Sequence, residues 1–177
     1  CQLGRSENLL PGRSILERLG GGTDSAGMKI LRNKRKILGP HVVLDQERCV
    51  LCTRCVRFGQ EIAGVMELGM IGRGEHAEIV SFVGKAVDSE LSGNMIDLCP
   101  VGALTSKPFR YAARTWELAR RKSVAPHDSL GSNLVVQIKG DRVMRVLPLE
   151  NEAVNECWLS DKDRFSYEAL NCDQRLT

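Results

Sequence analysis

Apolar and polar positions follow no sustained period from Gln2 to Gly39, where Pro11-Gly12 and Gly20-Gly21-Gly22 interrupt the chain. Within that stretch only Ser14 to Leu19 has the make-up of a short helix, with the glycines as its stop. The basic run Lys34-Arg35-Lys36 reads as solvated surface. Beyond it the pattern sharpens. Val42 to Leu44 predicts a short strand leading into Cys49, and Ile79 to Val83 predicts another. Asp88 or Ser89 can cap a helix running to Asp97, which Cys99-Pro100 ends. Phe109, Ala112, Ala113 and Trp116 recur at helical spacing and predict an amphipathic helix over 109–121, with Trp116 in the core. After Ser123 the period becomes two: Leu134, Val136 and Ile138 alternate with Val135, Gln137 and Lys139. Gly140-Asp141 supplies a two-residue turn and Val143 to Leu147 returns, which predicts a β-hairpin opening a second unit.

Composition narrows the function classes. The 177 residues carry a net charge of +3, with 42% hydrophobic and 27% charged residues, so the chain can bury a core and is not a disordered acidic segment. Aromatic residues are only 5% and the basic excess is small, which argues against a dedicated nucleic-acid binder. Apolar runs such as Leu134 to Val136 fall far short of the roughly 20 residues that span a bilayer. Any membrane association is expected to come through partners. The chain opens on Cys1 rather than Met and is read as part of something longer.

Seven cysteines are an odd number and too few for a disulfide scaffold, which fits a reducing compartment. Cys49, Cys52 and Cys55 form a Cys-x-x-Cys-x-x-Cys loop, able to wrap an inorganic cube with a different iron for each thiolate. Cys99, followed by Pro100, offers a fourth ligand, as in bacterial ferredoxins whose halves each donate a cysteine to the other's cluster. Counted against that two-cluster template, the first half has Gly59 at its fourth position. The second half has Ser89, Ser92 and Met95 in place of its triplet. The losses are complementary: one [4Fe-4S] cluster keeps all four ligands and the other has none. Four cysteines also suit zinc, although zinc sites more often pair two Cys-x-x-Cys arms. Arg48, Arg54 and Arg57 crowd the loop and would favour the more negative, reduced cluster. Cys157 and Cys172 read as buried or free thiols. His41, His76 and His127 read as satisfied or surface residues, and Gly69 to Gly74 as a turn.

Three stretches carry a resemblance. These are Arg48-Cys49-Val50-Leu51-Cys52-Thr53-Arg54-Cys55-Val56-Arg57-Phe58, Glu67-Leu68-Gly69-Met70-Ile71-Gly72-Arg73-Gly74, and the run from Asp97-Leu98-Cys99-Pro100 to Lys107-Pro108. From about Gly39 to Leu176 the chain resembles the large iron-sulfur subunit of the proton-pumping NADH:quinone oxidoreductase, respiratory complex I, in its bacterial style. The resemblance implies an α+β fold in three parts. Residues 1–40 would be the tail of a His-and-three-Cys iron-sulfur segment and a linker. Residues 41–121 would form a ferredoxin-like single [4Fe-4S] domain, and 122–177 the start of a molybdopterin-oxidoreductase-like domain.

By the same resemblance Cys49, Cys52, Cys55 and Cys99 hold the [4Fe-4S] cluster, and Cys1 matches the last cysteine of a second cluster whose other ligands lie upstream. Some members carry a further cluster at the head of the molybdopterin-like domain. Here its positions read Ala125, Asp128, Ser132 and Ser160, so no metal is expected there. The implied role is relay of single electrons from flavin toward quinone, with no catalytic residue in the chain itself. The implied partners are other peripheral-arm subunits, including the flavin/NADH-binding subunit, at the cytoplasmic face of the bacterial inner membrane. An electron-input domain of a soluble hydrogenase or formate dehydrogenase is the rival reading, against which the text from Asp97 to Leu118 argues. A structural zinc module is the third.

Overall fold

The computed structural model describes residues 35–174; Cys1 and the helix expected at Ser14–Leu19 lie outside them. Strand β1 (Arg35–Ile37) and strand β5 (Leu104–Ser106) flank β2 (Val42–Asp45) on either edge, all antiparallel. All four residues of β2 are buried, Asp45 among them, so Val42, Val43 and Leu44 are apolar without alternation. The strand expected at Val42–Leu44 is therefore present, one residue longer. Lys36 does not stay on a solvated face, because it reaches Glu78 at 2.9 Å and ties this sheet to the next.

That next sheet is a hairpin of β3 (Leu68–Ile71) and β4 (Glu78–Ser81). The strand expected to reach Val83 stops at Ser81, where Phe82–Gly84 curls into a single 3-10 turn closed by Gly84 at φ 67°. Gly69 sits within β3 rather than in a turn. The chain reverses instead through Gly72 and Gly74, both at positive φ. A Cβ on Gly72 would lie 2.4 Å from the His76 carbonyl oxygen, so only glycine fits.

Two helices complete this unit, α1 (Arg54–Glu61) and α2 (Asn94–Leu98). The helix expected from Asp88 starts only at Asn94. The N–H groups of Asp88 and Ser89 are taken by the Glu67 carboxylate at 2.9 and 3.3 Å, and the following residues turn before the helix begins. It ends where expected, ahead of Cys99-Pro100. Leu44, Phe58, Leu68, Ile79, Met95 and Leu104 form the core that these elements share.

The second unit is a three-stranded antiparallel sheet in the order β6 (Ala119–Val124), β7 (Asn133–Lys139), β8 (Arg142–Pro148). The expected hairpin is β7–β8, turning through Gly140 at φ 59°. The helix expected over 109–121 is absent. Tyr111 at φ 64° interrupts it, and Ala119–Val124 pairs with β7 along six residues from Ala119↔Ile138 to Val124↔Asn133. Cross-strand pairing outweighs the local helical period. Of the four periodic residues Phe109 is buried, but Trp116 is 78% exposed beneath the Arg114 guanidinium, not in the core. Helix α3 (Asp161–Phe165) starts at Ser160, whose hydroxyl accepts the Asp163 N–H. Ala125, Leu134, Val146, Leu159 and Tyr167 form this unit's core.

The units meet through rings, with His41 stacked on Phe165 at 4.0 Å and Phe58 tilted against Trp158 at 5.1 Å between centroids. Antiparallel sheets with short helices set against them make an α+β architecture. Among the described residues no helix is long and apolar enough to cross a membrane.

Candidate metal centre

The cysteine loop begins where the 3-10 turn Gln46–Arg48 closes on Cys49, whose N–H donates to the Gln46 carbonyl at 3.2 Å. Two residues without glycine's freedom then adopt the left-handed region, Leu51 at φ 55° and Thr53 at φ 58°. For a β-branched threonine this is a strained state, of order 1–3 kcal/mol, and such strain concentrates at functional sites. The two reversals flank Cys52 and bend the loop back, with the Thr53 hydroxyl donating to the Cys52 carbonyl at 2.7 Å. Thr53 then starts α1, which places Cys55 in its first turn. Cys52 is exposed, whereas Cys49 and Cys55 are half-buried.

Cys99 approaches from the other side. It caps α2 in extended conformation, and Gly102 at φ 63° folds the following residues back over it. The N–H groups of Ala103 and Leu104 point at its sulfur, 3.2 and 3.5 Å away. Such donors stabilise a thiolate or a sulfur bound to metal. Leu104 opens β5, which pairs with the β2 strand that leads to Cys49, and the Asp45 N–H meets the Ala103 carbonyl at 2.8 Å. The two cysteine loops thus hang from adjacent strands, and Cys49, Cys55 and Cys99 pack on one apolar core.

The loop thiols lie near enough to one another to interact electrostatically. Burial pushes the Cys55 thiol up to about 11, and the neighbouring Cys49 and Cys52 push in the same direction. Thiolates gathered this way repel unless a cation binds them. Zinc would draw four sulfurs to about 2.3 Å from one point. Among the described residues no three His, Cys, Asp or Glu side chains, the four cysteines included, are drawn together around one point, so the chemistry of the donors rather than their spacing bears on the group they would hold. The donor set, four thiols with backbone N–H groups on one sulfur, fits an iron-sulfur cube with a ligand at each corner. Of the three nearby arginines, Arg48 lies 3.8 Å from Asp45, while Arg54 and Arg57 are exposed.

The replaced positions of the lost ferredoxin cluster also come together. Gly59, Ser89 and Met95 line one cleft with Cys55 and Phe58, while Ser92 is turned away to Asp161. In the second unit, the four positions without thiols hold hydrogen bonds instead. The Ser132 hydroxyl donates to Asp128, the Ala125 N–H meets the Ser132 carbonyl at 2.9 Å, and the Ser160 hydroxyl donates to Asp163 at 2.8 Å. The Ser132 hydroxyl, together with the Leu130 N–H, holds the Asp128 carboxyl below its usual range. Cys157 and Cys172 are exposed free thiols. Sequence reasoning missed a polar cluster of buried Asn94 and Arg164 with half-buried Asp161 on the run that leads to Cys99; its members lie up to 70 residues apart and share no period.

Two family models match. Residues 39–105 fit the ferredoxin-like domain of NADH-quinone oxidoreductase subunit 3, and residues 118–168 fit the NADH-ubiquinone oxidoreductase NDSU1/NuoG-like 4Fe-4S domain. Within 118–168 the single cysteine is Cys157. The NuoG-type subunit of NADH-quinone oxidoreductase from Rickettsia bellii is 54% identical over 143 residues, 81% of this chain and 21% of that protein. The mitochondrial NADH dehydrogenase (ubiquinone) iron-sulfur protein 1 of Solanum tuberosum is 56% identical over 141 residues, 80% of this chain and 19% of that protein. A crystal structure of an NAD+-reducing NiFe hydrogenase aligns with 62% of this chain and 50% of its own at 26% identity and a TM-score of 0.41, too loose a likeness to bear on function. The chain spans about a fifth of the length of the curated relatives it matches. With more than half of the matched residues identical and two iron-sulfur domain models of these subunits matching along the chain, the chain belongs to the NuoG family of NADH-quinone oxidoreductase subunits, of which it covers one segment.

Proposed function

We propose that this chain relays single electrons within the peripheral arm of an NADH:quinone oxidoreductase, using one [4Fe-4S] cluster held by Cys49, Cys52, Cys55 and Cys99. The observation that carries this reading is that the strained three-cysteine loop and Cys99, whose sulfur is already capped by two backbone N–H groups, hang from paired strands over one apolar core. When bound, the cluster accepts and passes on one electron at a time. The residues do the rest. The β2–β5 pairing holds the two loops in register, and the core behind Cys49, Cys55 and Cys99 keeps water from one side of the site. Arg54 and Arg57, exposed beside the cysteine loop, favour the reduced state.

Residues 41–121 act as the ferredoxin-like domain, and 122–177 as the head of a molybdopterin-oxidoreductase-like domain that serves as scaffold. The chain itself makes and breaks no bond. Its electron donor is the flavin-bearing, NADH-binding subunit, and the assembly lies on the cytoplasmic face of the inner membrane, attached through its partners. Anaerobic reconstitution tests the reading: about four irons per chain and a paramagnetic signal on reduction, both lost in Cys52→Ser, are expected. Stoichiometric zinc with no such signal would overturn it.

A further inference from the structure

Arg164 is 4% exposed and Asn94 1% exposed, and neither belongs to the cysteine site. Arg164 Nη2 donates to Asn94 Oδ1 at 2.9 Å and pairs with Asp97 Oδ2 at 2.7 Å. From the same helix, Asp161 accepts the Gly93 N–H at 2.7 Å and the Ser92 hydroxyl, and its own N–H donates to the Glu90 carbonyl at 2.7 Å. Just ahead of that helix, Leu159 exchanges two bonds with the Asn94 side chain, at 2.9 and 3.0 Å. All these partners lie on the run Glu90–Asp97, and that run ends on Cys99 two residues later.

The contact is close-packed. A Cβ on Gly93 would lie 2.5 Å from Arg164 Cδ and 2.7 Å from Asp161 Oδ1. Arg164 Nε, pressed against this glycine, is buried without a hydrogen-bond partner. A buried guanidinium with an unused donor is costly and is tolerated where the surrounding packing over-determines it. The loop involved, Ser89 to Met95, is the one that a two-cluster ferredoxin would use for its second cluster. Here Ser92 and Gly93 receive the neighbouring unit instead.

We propose that Asp161 and Arg164, supplied by the unit that lacks cluster cysteines, are positioning residues for Cys99 and tune the cluster held by the other unit. The proposal rests on the cluster reading above. Holding the run Glu90–Asp97 fixes the direction from which Cys99 presents its sulfur. The buried Arg164 and the half-buried Asp161 act on the cluster with opposite sign: Arg164 favours the more negative reduced form and Asp161 opposes it. A role in packing alone has no such sign.

The test is a redox titration, with iron counting and paramagnetic resonance, on the cluster-loaded chain and its variants. Arg164→Met is expected to lower the midpoint potential and alter the resonance line shape, Arg164→Lys to return both toward the parent values, and Asp161→Asn to raise the potential. If Arg164→Met sheds its iron, an upward shift in Asp161→Asn with Arg164→Lys near the parent carries the same result. Parent-like potentials in both charge-removing variants, or shifts of the same sign in cluster-retaining chains, would overturn the proposal. A parent chain whose iron is unaffected by Cys99→Ser would instead overturn the cluster reading.

Discussion

Replacing Asn94 by alanine is the sharpest structural perturbation available. Its amide donates to the Leu91 and Leu159 carbonyls and accepts from the Leu159 N–H and from Arg164. Truncation does not orphan all four partners. The Leu91 carbonyl still receives the Asn94 backbone N–H at 3.0 Å, and Arg164 retains Asp97. The two Leu159 backbone groups lose their partner inside a residue that is 1% exposed. Each unsatisfied buried group costs about 1–3 kcal/mol, so the expected loss is about 4 kcal/mol once the small void is included. With a urea m-value near 2 kcal/mol/M, the unfolding midpoint drops by roughly 2 M. Fluorescence of Trp158, which packs on Phe58 where the units meet, follows the transition. Asn171→Ala, which removes only a 3.5 Å bond at an exposed residue, is the control and is expected to stay within about 0.5 kcal/mol of the parent. An Asn94→Ala midpoint indistinguishable from the control would refute the argument that this network joins the two units.

Gly59→Ala gains about 1 kcal/mol of helix propensity, yet its Cβ would sit 2.8 Å from the Val65 carbonyl oxygen; a net loss of about 1–2 kcal/mol is expected by thermal unfolding, and a rise in melting temperature would count against the close approach. Burial pushes the Tyr167 phenol up to about 12 from its ordinary 10, so the unfolded chain ionises first as pH rises. The stability this tyrosine contributes is complete below pH 10 and lost as pH climbs through about 12. Denaturation of the parent and Tyr167→Phe across that range should show their difference shifting against the parent at high pH; a difference independent of pH would show that the phenol is hydrated.

What could be read from the chain follows the range of each signal. The Cys49–Cys55 loop and the β7–β8 hairpin are encoded within a few residues of one another, by spacing in one case and period two in the other, and both are present. Phe109 to Trp116 carries an equally regular helical period, but the residues that follow are claimed by β7, whose position depends on residues 133–139. Trp116 is consequently an exposed ring beneath Arg114. The late start of α2 has the same origin, since Glu67 takes the N–H groups of Asp88 and Ser89 from 21 and 22 residues away. Arg164, in the mixed-charge run Asp161-Lys162-Asp163-Arg164, carries no local signal of burial. Only the fold shows it buried against Asn94, and only the fold shows that Ser132 and Ser160, whose places in the chain were legible, spend their hydroxyls on Asp128 and Asp163.

The central claim is that four particular cysteines hold one cluster. Iron counting and reduced-state paramagnetic resonance on the reconstituted chain, alongside Cys49→Ser, Cys52→Ser, Cys55→Ser, Cys99→Ser and Cys157→Ser, test it most directly. The account predicts about four irons and one signal in the parent and in Cys157→Ser, with the native signal lost in each of the other four. An unchanged signal in Cys99→Ser, or its loss in Cys157→Ser, would contradict it.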